Sequence, residues 1–384
     1  MFQNKFIIFF ITLFFTTIFF NGIFLGQTFF IDEDPFSIMM YSSNSFNDNG
    51  WNSNSLFGIS TLYGDPGTNH YYSLFSIIEG LLSMTNFYNA EIFYNCSIII
   101  LYSLSVTSIF YFLKYFTPQS NNFIAIILSF LFLFGSSRYD LQFQRHWLTI
   151  GFGFPAYIMC LNEYFLTNKK KYLCNITLIF FVVLHFGSIP ALQNVLIAGF
   201  LFLIVKFFNE KKLYLKQYLK INFFSFILLL LLGSWIWYPM IIEIIQTQYM
   251  RSESYSNVEY INKNFLIHIL RNFFWILFNP ILPLNLVLPV GEMSLSTGQY
   301  SNMNFIFNII FLLFVYQIKR NRTKEIYIFL LLYIALLTIN YLFPVIQGFL
   351  MHLIGTYKVE KVNQEILILQ ICVINMVLNS YFKN

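Results

Sequence analysis

Apolar residues along this chain gather into long runs, separated by polar stretches that hold most of the charge. A helix needs about 20 apolar residues to cross the hydrocarbon core of a bilayer. That measure predicts spans over residues 6–31, 92–113, 122–136, 148–166, 172–187, 194–208, 221–242, 303–318, 325–343 and 364–381. The shorter runs fit tilted or broken helices. The expected fold is all-α: one polytopic membrane domain over residues 1–384, with about ten transmembrane helices. The first run follows Lys5 as a secretion signal would, but it exceeds a signal-peptide core and no small-x-small cleavage site follows, so it is expected to remain as a span.

Basic residues give the orientation, because short loops left in the cytoplasm carry the excess of Lys and Arg. With the N-terminus inside, the inner side receives Lys5, Lys114, Lys169, Lys170, Lys171, Lys206, Lys211, Lys212, Lys216, Lys220, Lys319, Arg320, Arg322, Lys324 and Lys383, 15 of the 22 basic residues. The acids play no part in that assignment, yet only Glu163, Glu210 and Glu325 come out inside and 14 of the 17 lie outside. Both termini are then cytoplasmic, and the expected location is a bacterial cytoplasmic (inner) membrane.

Two external stretches stand out. The first loop, residues 32–91, has no Lys or Arg but holds Asp32, Glu33, Asp34, Asp48, Asp65, Glu79 and Glu91. It is far longer than a connection requires. Within it, Tyr71, Leu74, Phe75, Ile78, Leu81 and Leu82 share one face of a helical register, the pattern of a helix lying in the membrane interface. The second stretch, residues 264–302, opens with His268, Arg271 and Asn272 on one face beside Trp275; Pro280, Pro283 and Pro289 then argue for an external or re-entrant segment.

Composition agrees with a lipid solvent: 57% of residues are hydrophobic and 10% charged, more apolar surface than a soluble domain could keep from water. The 50 Phe reflect an AT-rich codon bias before any chemistry. A net charge of +5 with no basic stripe excludes a nucleic-acid surface. Cys96, Cys160, Cys174 and Cys372 lack CxxC spacing and sit in or beside apolar runs, so they are expected as buried hydrophobes. No Walker-type GxxxxGK[ST], GxSxG or HExxH sequence is present, which removes ATP-driven pumping, the nucleophile elbow and the zinc protease helix.

Asp32-Glu33-Asp34-Pro35 marks the external exit of the first span. Three adjacent carboxylates at a low-dielectric boundary call for a proton or a cation partner, which suits a general base or a metal ligand, Mg or Mn for such oxygens. A solvated stop signal in the headgroup region explains the same cluster. Asp65 lies in Gly64-Asp65-Pro66-Gly67, where turn formers fix the backbone and aim the carboxylate; an ordinary turn aspartate reads the same way.

The layout resembles the GT-C class of membrane glycosyltransferases, and within it a short version of the YfhO-type proteins. The stretches that carry the resemblance are Asp32 to Pro35, the segment from Gly50-Trp51 through Gly58 to Tyr63-Gly64-Asp65-Pro66, and Leu232-Gly-Ser-Trp-Ile-Trp-Tyr-Pro239 followed by Arg251. It implies transfer of a sugar from a polyprenyl-phosphate-linked donor to a cell-envelope acceptor on the external face. Asp32, Glu33, Asp34 and Asp65 are the implied catalytic carboxylates. The leaving lipid phosphate needs cationic donors, for which Arg138, Arg145, His146 and Arg251 are the candidates. Each of Arg138 and Arg145 also reads as a snorkelling residue that binds the headgroups of membrane lipids. Two other classes remain open: a transporter or flippase of lipid-linked saccharides, and a non-catalytic subunit of a membrane complex.

Overall fold

The computed structural model describes residues 5–19, 51–52, 59–60, 78, 81–82, 90–135, 145–186, 189–212, 214–234, 324–342 and 363–381. Its helices are α1 (Lys5–Phe19), α2 (Ala90–Phe116), α3 (Asn122–Gly135), α4 (Arg145–Thr167), α5 (Lys171–Phe186), α6 (Ile189–Glu210), α7 (Leu215–Leu232), α8 (Lys324–Leu342) and α9 (Asn363–Tyr381). Among the described residues there is also a minimal antiparallel ladder in the first loop, β1 (Trp51–Asn52) with β2 (Ile59–Ser60), pairing Trp51 with Ser60 and Asn52 with Ile59. The fold is thus all-α in its body. Each helix falls on one of the expected apolar runs. The run over 303–318 and the segment 264–302 lie outside the described residues. Of the expected interfacial helix, Ile78, Leu81 and Leu82 are helical, and all three are exposed.

Among the described residues three helical stretches are long and apolar enough to cross a membrane: Cys96–Phe116, Ala191–Glu210 and Leu215–Leu232. Phe6–Ile18, Asn122–Leu133, Lys171–Phe186 and Gln364–Asn379 are apolar but shorter. Apolar side chains face outward as well as inward. On α7, Leu219, Phe223, Phe226 and Leu230 form an exposed stripe, the reverse of a water-soluble helix.

The chain divides into two compact units: Met1–Phe112 with Tyr139–Gly199 and Tyr214–Thr247, and Leu113–Arg138 with Phe200–Leu213 and Gln248–Asn384. In the first unit, short side chains let helices come close. A Cβ on Gly153 of α4 would stand 2.5 Å from Val183 Cγ2 of α5 and 3.3 Å from Val195 Cγ2 of α6, and one on Gly199 of α6 would stand 2.5 Å from the Tyr157 hydroxyl. The pairs 153 with 195 and 157 with 199 advance together, so α4 and α6 run parallel. The same holds for α2 and α4, where Ser105 Oγ donates to the Leu148 carbonyl at 3.1 Å and Ser108 Oγ to that of Phe152 at 3.1 Å. Tyr157 ties α4 to α7 by a 2.7 Å bond to Asn222 Oδ1.

In the second unit α6 and α8 run antiparallel, with Phe202 against Phe329 and Lys206 against Glu325. The far end of α9 meets the α2–α3 turn: Asn375 Nδ2 donates to Thr117 Oγ1 at 2.6 Å, and Asn379 Oδ1 accepts from the Asn121 backbone N–H at 3.2 Å. Helices α4 and α6 both end at a non-glycine residue with positive φ, Asn168 at 50° and Lys211 at 54°. Asn enters the left-handed region at little cost, and Lys211 does so at the head of a Lys-Lys turn.

All four cysteines are free. The expectation of burial holds for Cys372; Cys96 and Cys160 are half-buried, and Cys174 is exposed on α5. Many apolar side chains of these helices face outward, so an apolar neighbourhood in sequence does not place a residue inside.

Candidate functional site

Arg145 and His146 open α4, the two residues of its first turn expected to meet a phosphate. Asp32, Glu33, Asp34, Asp65, Arg138 and Arg251 lie outside the described residues, so the expected convergence of carboxylates and cations is not among the described contacts. An α4 residue recurs on one face every four positions, and Arg145, Thr149, Gly153 and Tyr157 make such a line. Its lower members, Gly153 and Tyr157, face α6.

The level of Gly153 fixes what lies above it. Val183 of α5 and Val195 of α6 both meet Gly153. Toward the start of α4, His185 is two residues beyond Val183, Asn194 one beyond Val195, and Thr149 four before Gly153. At about 1.5 Å of rise per residue these three fall within about 6 Å of helix length. All are buried: Thr149 is 0%, His185 1% and Asn194 1% exposed. The His185 ring packs at a tilt of 39° against Phe181, with centroids 3.9 Å apart. Pro155, inside α4, supplies no N–H, so the carbonyl of Gly151 at the same level loses its helical donor.

Helices α1 and α2 bring hydroxyls to this stratum. Thr12 Oγ1 lies 2.8 Å from Thr107 Oγ1 and donates at 3.3 Å to the Ser103 carbonyl. Ser105 bonds both Leu101 and Leu148 carbonyls. These hydroxyls are satisfied by backbone, as helical Ser and Thr often are. Asn194 differs: neither its amide nitrogen nor its amide oxygen has a hydrogen-bond partner among the described residues. Leaving such a group unmade costs about 1–3 kcal/mol.

Two polar centres sit in the second unit. Lys206, its side chain 5% exposed, donates to Glu210 Oε1 at 2.8 Å and Glu325 Oε1 at 3.0 Å, and Asn209 Nδ2 donates to the same Glu325 oxygen at 2.7 Å. Glu365, in the first turn of α9, is fully buried, and neither carboxyl oxygen has a partner among the described residues; beside it Gln364 Oε1 is buried and unpartnered too. Sequence reasoning singled out neither Glu365 nor Asn194. The signal for Glu365 was a lone acid opening an otherwise uncharged run.

No group of three or more His, Cys, Asp or Glu able to hold a metal ion occurs among the described residues. The expectation of Mg or Mn attaches to Asp32 and Asp34, outside them. No family model, no curated protein and no solved structure matches the chain.

Proposed function

We propose that the chain is a membrane-embedded glycosyltransferase of GT-C type that moves a sugar from a polyprenyl-phosphate carrier to an acceptor on the external face. The observation that carries this reading is the start of α4: two cation-forming residues, Arg145 and His146, open a helix whose next turns enter a buried layer of neutral donors and acceptors. A cationic rim suits a lipid phosphate and a neutral polar floor suits a sugar.

The helix directions support the ten-span arrangement on which this depends. Alternating spans make the second, fourth and sixth run one way, and α2, α4 and α6 are parallel as that requires. The sixth and ninth should oppose, and α6 and α8 do. Outward apolar stripes such as that of α7 suit a lipid solvent.

In the proposed reaction a first-loop carboxylate, Asp32 or Asp34, takes the proton of an acceptor hydroxyl. The oxygen attacks the anomeric carbon from the face opposite the phosphate. The new carbon–oxygen bond forms as the bond to phosphate breaks, and the electron pair leaves on polyprenyl phosphate. Arg138, Arg145, His146 and Arg251 are the residues assigned to stabilise that charge. A base-promoted single displacement inverts the anomeric configuration.

A second reading, a flippase of lipid-linked saccharides, draws on the buried ionisable side chains of Lys206 and Glu365, because such groups within spans commonly line transport paths. Liposomes holding the purified protein decide between the two. Sugar transfer from a polyprenyl-phosphoryl donor, abolished in both Asp32→Asn and Asp34→Asn proteins that still insert, supports the transferase. Full activity in both variants removes the catalytic assignment, and donor flux without transfer reverses the ranking.

A further inference from the structure

We propose that Asn194 is the centre of a subsite for the hydroxyl groups of a sugar head group, built where α4, α5 and α6 meet; this rests on the reading that the chain takes a lipid-linked sugar. The residue is 1% exposed and both polar atoms of its amide lack partners among the described residues. An apolar residue of similar size would fill the same space without that cost, so an unmade amide held in the core points to a ligand that completes it.

The chemistry of the layer selects the ligand. A carboxamide donates and accepts at once, and a hydroxyl asks for both; a phosphate only accepts, and a cation only needs acceptors. At helix levels within about 6 Å of Asn194, Thr149 and His185 are buried neutral groups able both to donate and to accept, and Pro155 leaves the Gly151 carbonyl, an acceptor, without its helical donor. None of these carries a fixed charge. Arg145, the residue that would bring a charge, opens α4 one turn before Thr149 in the helical register. A sugar joined to a phosphate has this order, neutral hydroxyls at one end and an anion at the other. Next to this level the helices close up, with Gly153 packed on Val183 and Val195.

The test uses the full chain in phospholipid nanodiscs, free of sugar detergents, with thermal unfolding as the readout. Probes are inorganic phosphate, farnesyl phosphate, and farnesyl-phosphoryl glucose, mannose, galactose and N-acetylglucosamine. At least one glycosylated probe is expected to bind about tenfold more tightly than farnesyl phosphate, and Asn194→Leu to erase that difference. Arg145→Gln is expected to weaken both lipid phosphates, and a response to inorganic phosphate alone equal to that of the glycosylated probes overturns the sugar assignment. Without ligand, Asn194→Leu or Asn194→Ala should melt at or above the wild-type temperature, Asn194→Leu by about 2 °C above. A lowered melting temperature in both variants overturns the proposal, because the amide is then bonded within the protein. So does a panel in which no glycosylated probe exceeds farnesyl phosphate. Asn194-dependent binding with no transfer to any acceptor leaves the subsite standing and removes the transferase reading, whereas transfer at wild-type affinity by Asn194→Leu removes only the subsite.

Discussion

Lys206 and Glu325 meet at 3.0 Å across 119 residues of sequence, and Glu210 holds the same ammonium at 2.8 Å from one turn away on α6. The lysine is almost wholly buried, while the two carboxylates keep some exposure. The cost of stranding therefore falls mainly on the lysine. Glu210→Gln or Glu325→Gln alone leaves one counter-ion and is expected to lower stability by about 1 kcal/mol. The double variant leaves a buried ammonium with none and should lose about 3 kcal/mol or more. Urea or thermal unfolding of the three proteins checks this, and a double variant no worse than the sum of the singles would show that the ammonium reaches solvent or another partner.

Packing at Gly153 gives a second prediction, because its missing Cβ is what lets α4 approach α5. Gly153→Ala puts a methyl group 2.5 Å from Val183 Cγ2. Overpacking of this kind costs about 1–3 kcal/mol. Val183→Ala alone leaves a cavity, but combined with Gly153→Ala the new methyl takes up part of it. The pair should be less damaging than the sum of the singles by about 1 kcal/mol. Strict additivity in thermal unfolding would mean that the two helices separate instead of interlocking.

The helices were legible because their signal is local. Apolar runs bounded by Lys169 to Lys171 or by Lys211 and Lys212 fix α4, α5 and α6 to within a few residues: the expected 148–166 and 172–187 are Arg145–Thr167 and Lys171–Phe186. The polar centres were not legible, because what makes them is contact between distant helices. Lys206 reads as a loop-flanking cation until Glu325 is placed beside it. Asn194 reads as an ordinary residue near a helix start, and only its burial without a partner separates it from the many other Asn of the chain. The expected carboxylates all lie outside the described residues, and of the expected cations only Arg145 and His146 fall within a described helix.

Glu365 tests how a lone acid is tolerated in the core. It is 0% exposed, and neither carboxyl oxygen has a hydrogen-bond partner on another described residue, its own backbone N–H being the one donor close by among them. Glu365→Leu removes a buried polar group and breaks no bond to another described residue, so it is expected to raise stability by about 1 kcal/mol. Measured melting points for Glu365→Leu and Glu365→Gln check this. A fall in both would mean that the carboxyl is bonded by the chain before α9, and its role would then be structural.

The orientation of the spans is open to direct chemical labelling, and the contrast between two turns makes it decisive. Lys170, between α4 and α5, is exposed and belongs to a run of three lysines, whereas the first loop has no Lys or Arg at all. Basic loops stay in the cytoplasm, so the two should lie on opposite sides. The four native cysteines are free, and Cys174 is exposed, so they must first be replaced by Ala or Ser. In that background Ser55→Cys should react with a membrane-impermeant maleimide on intact cells, and Lys170→Cys only after the membrane is opened. The reverse pattern would put the carboxylates of the first loop in the cytosol, away from any acceptor in the envelope. Labelling of both positions on intact cells would mean an even number of crossings between them, against the three that the proposed ten-span arrangement assigns to α2, α3 and α4.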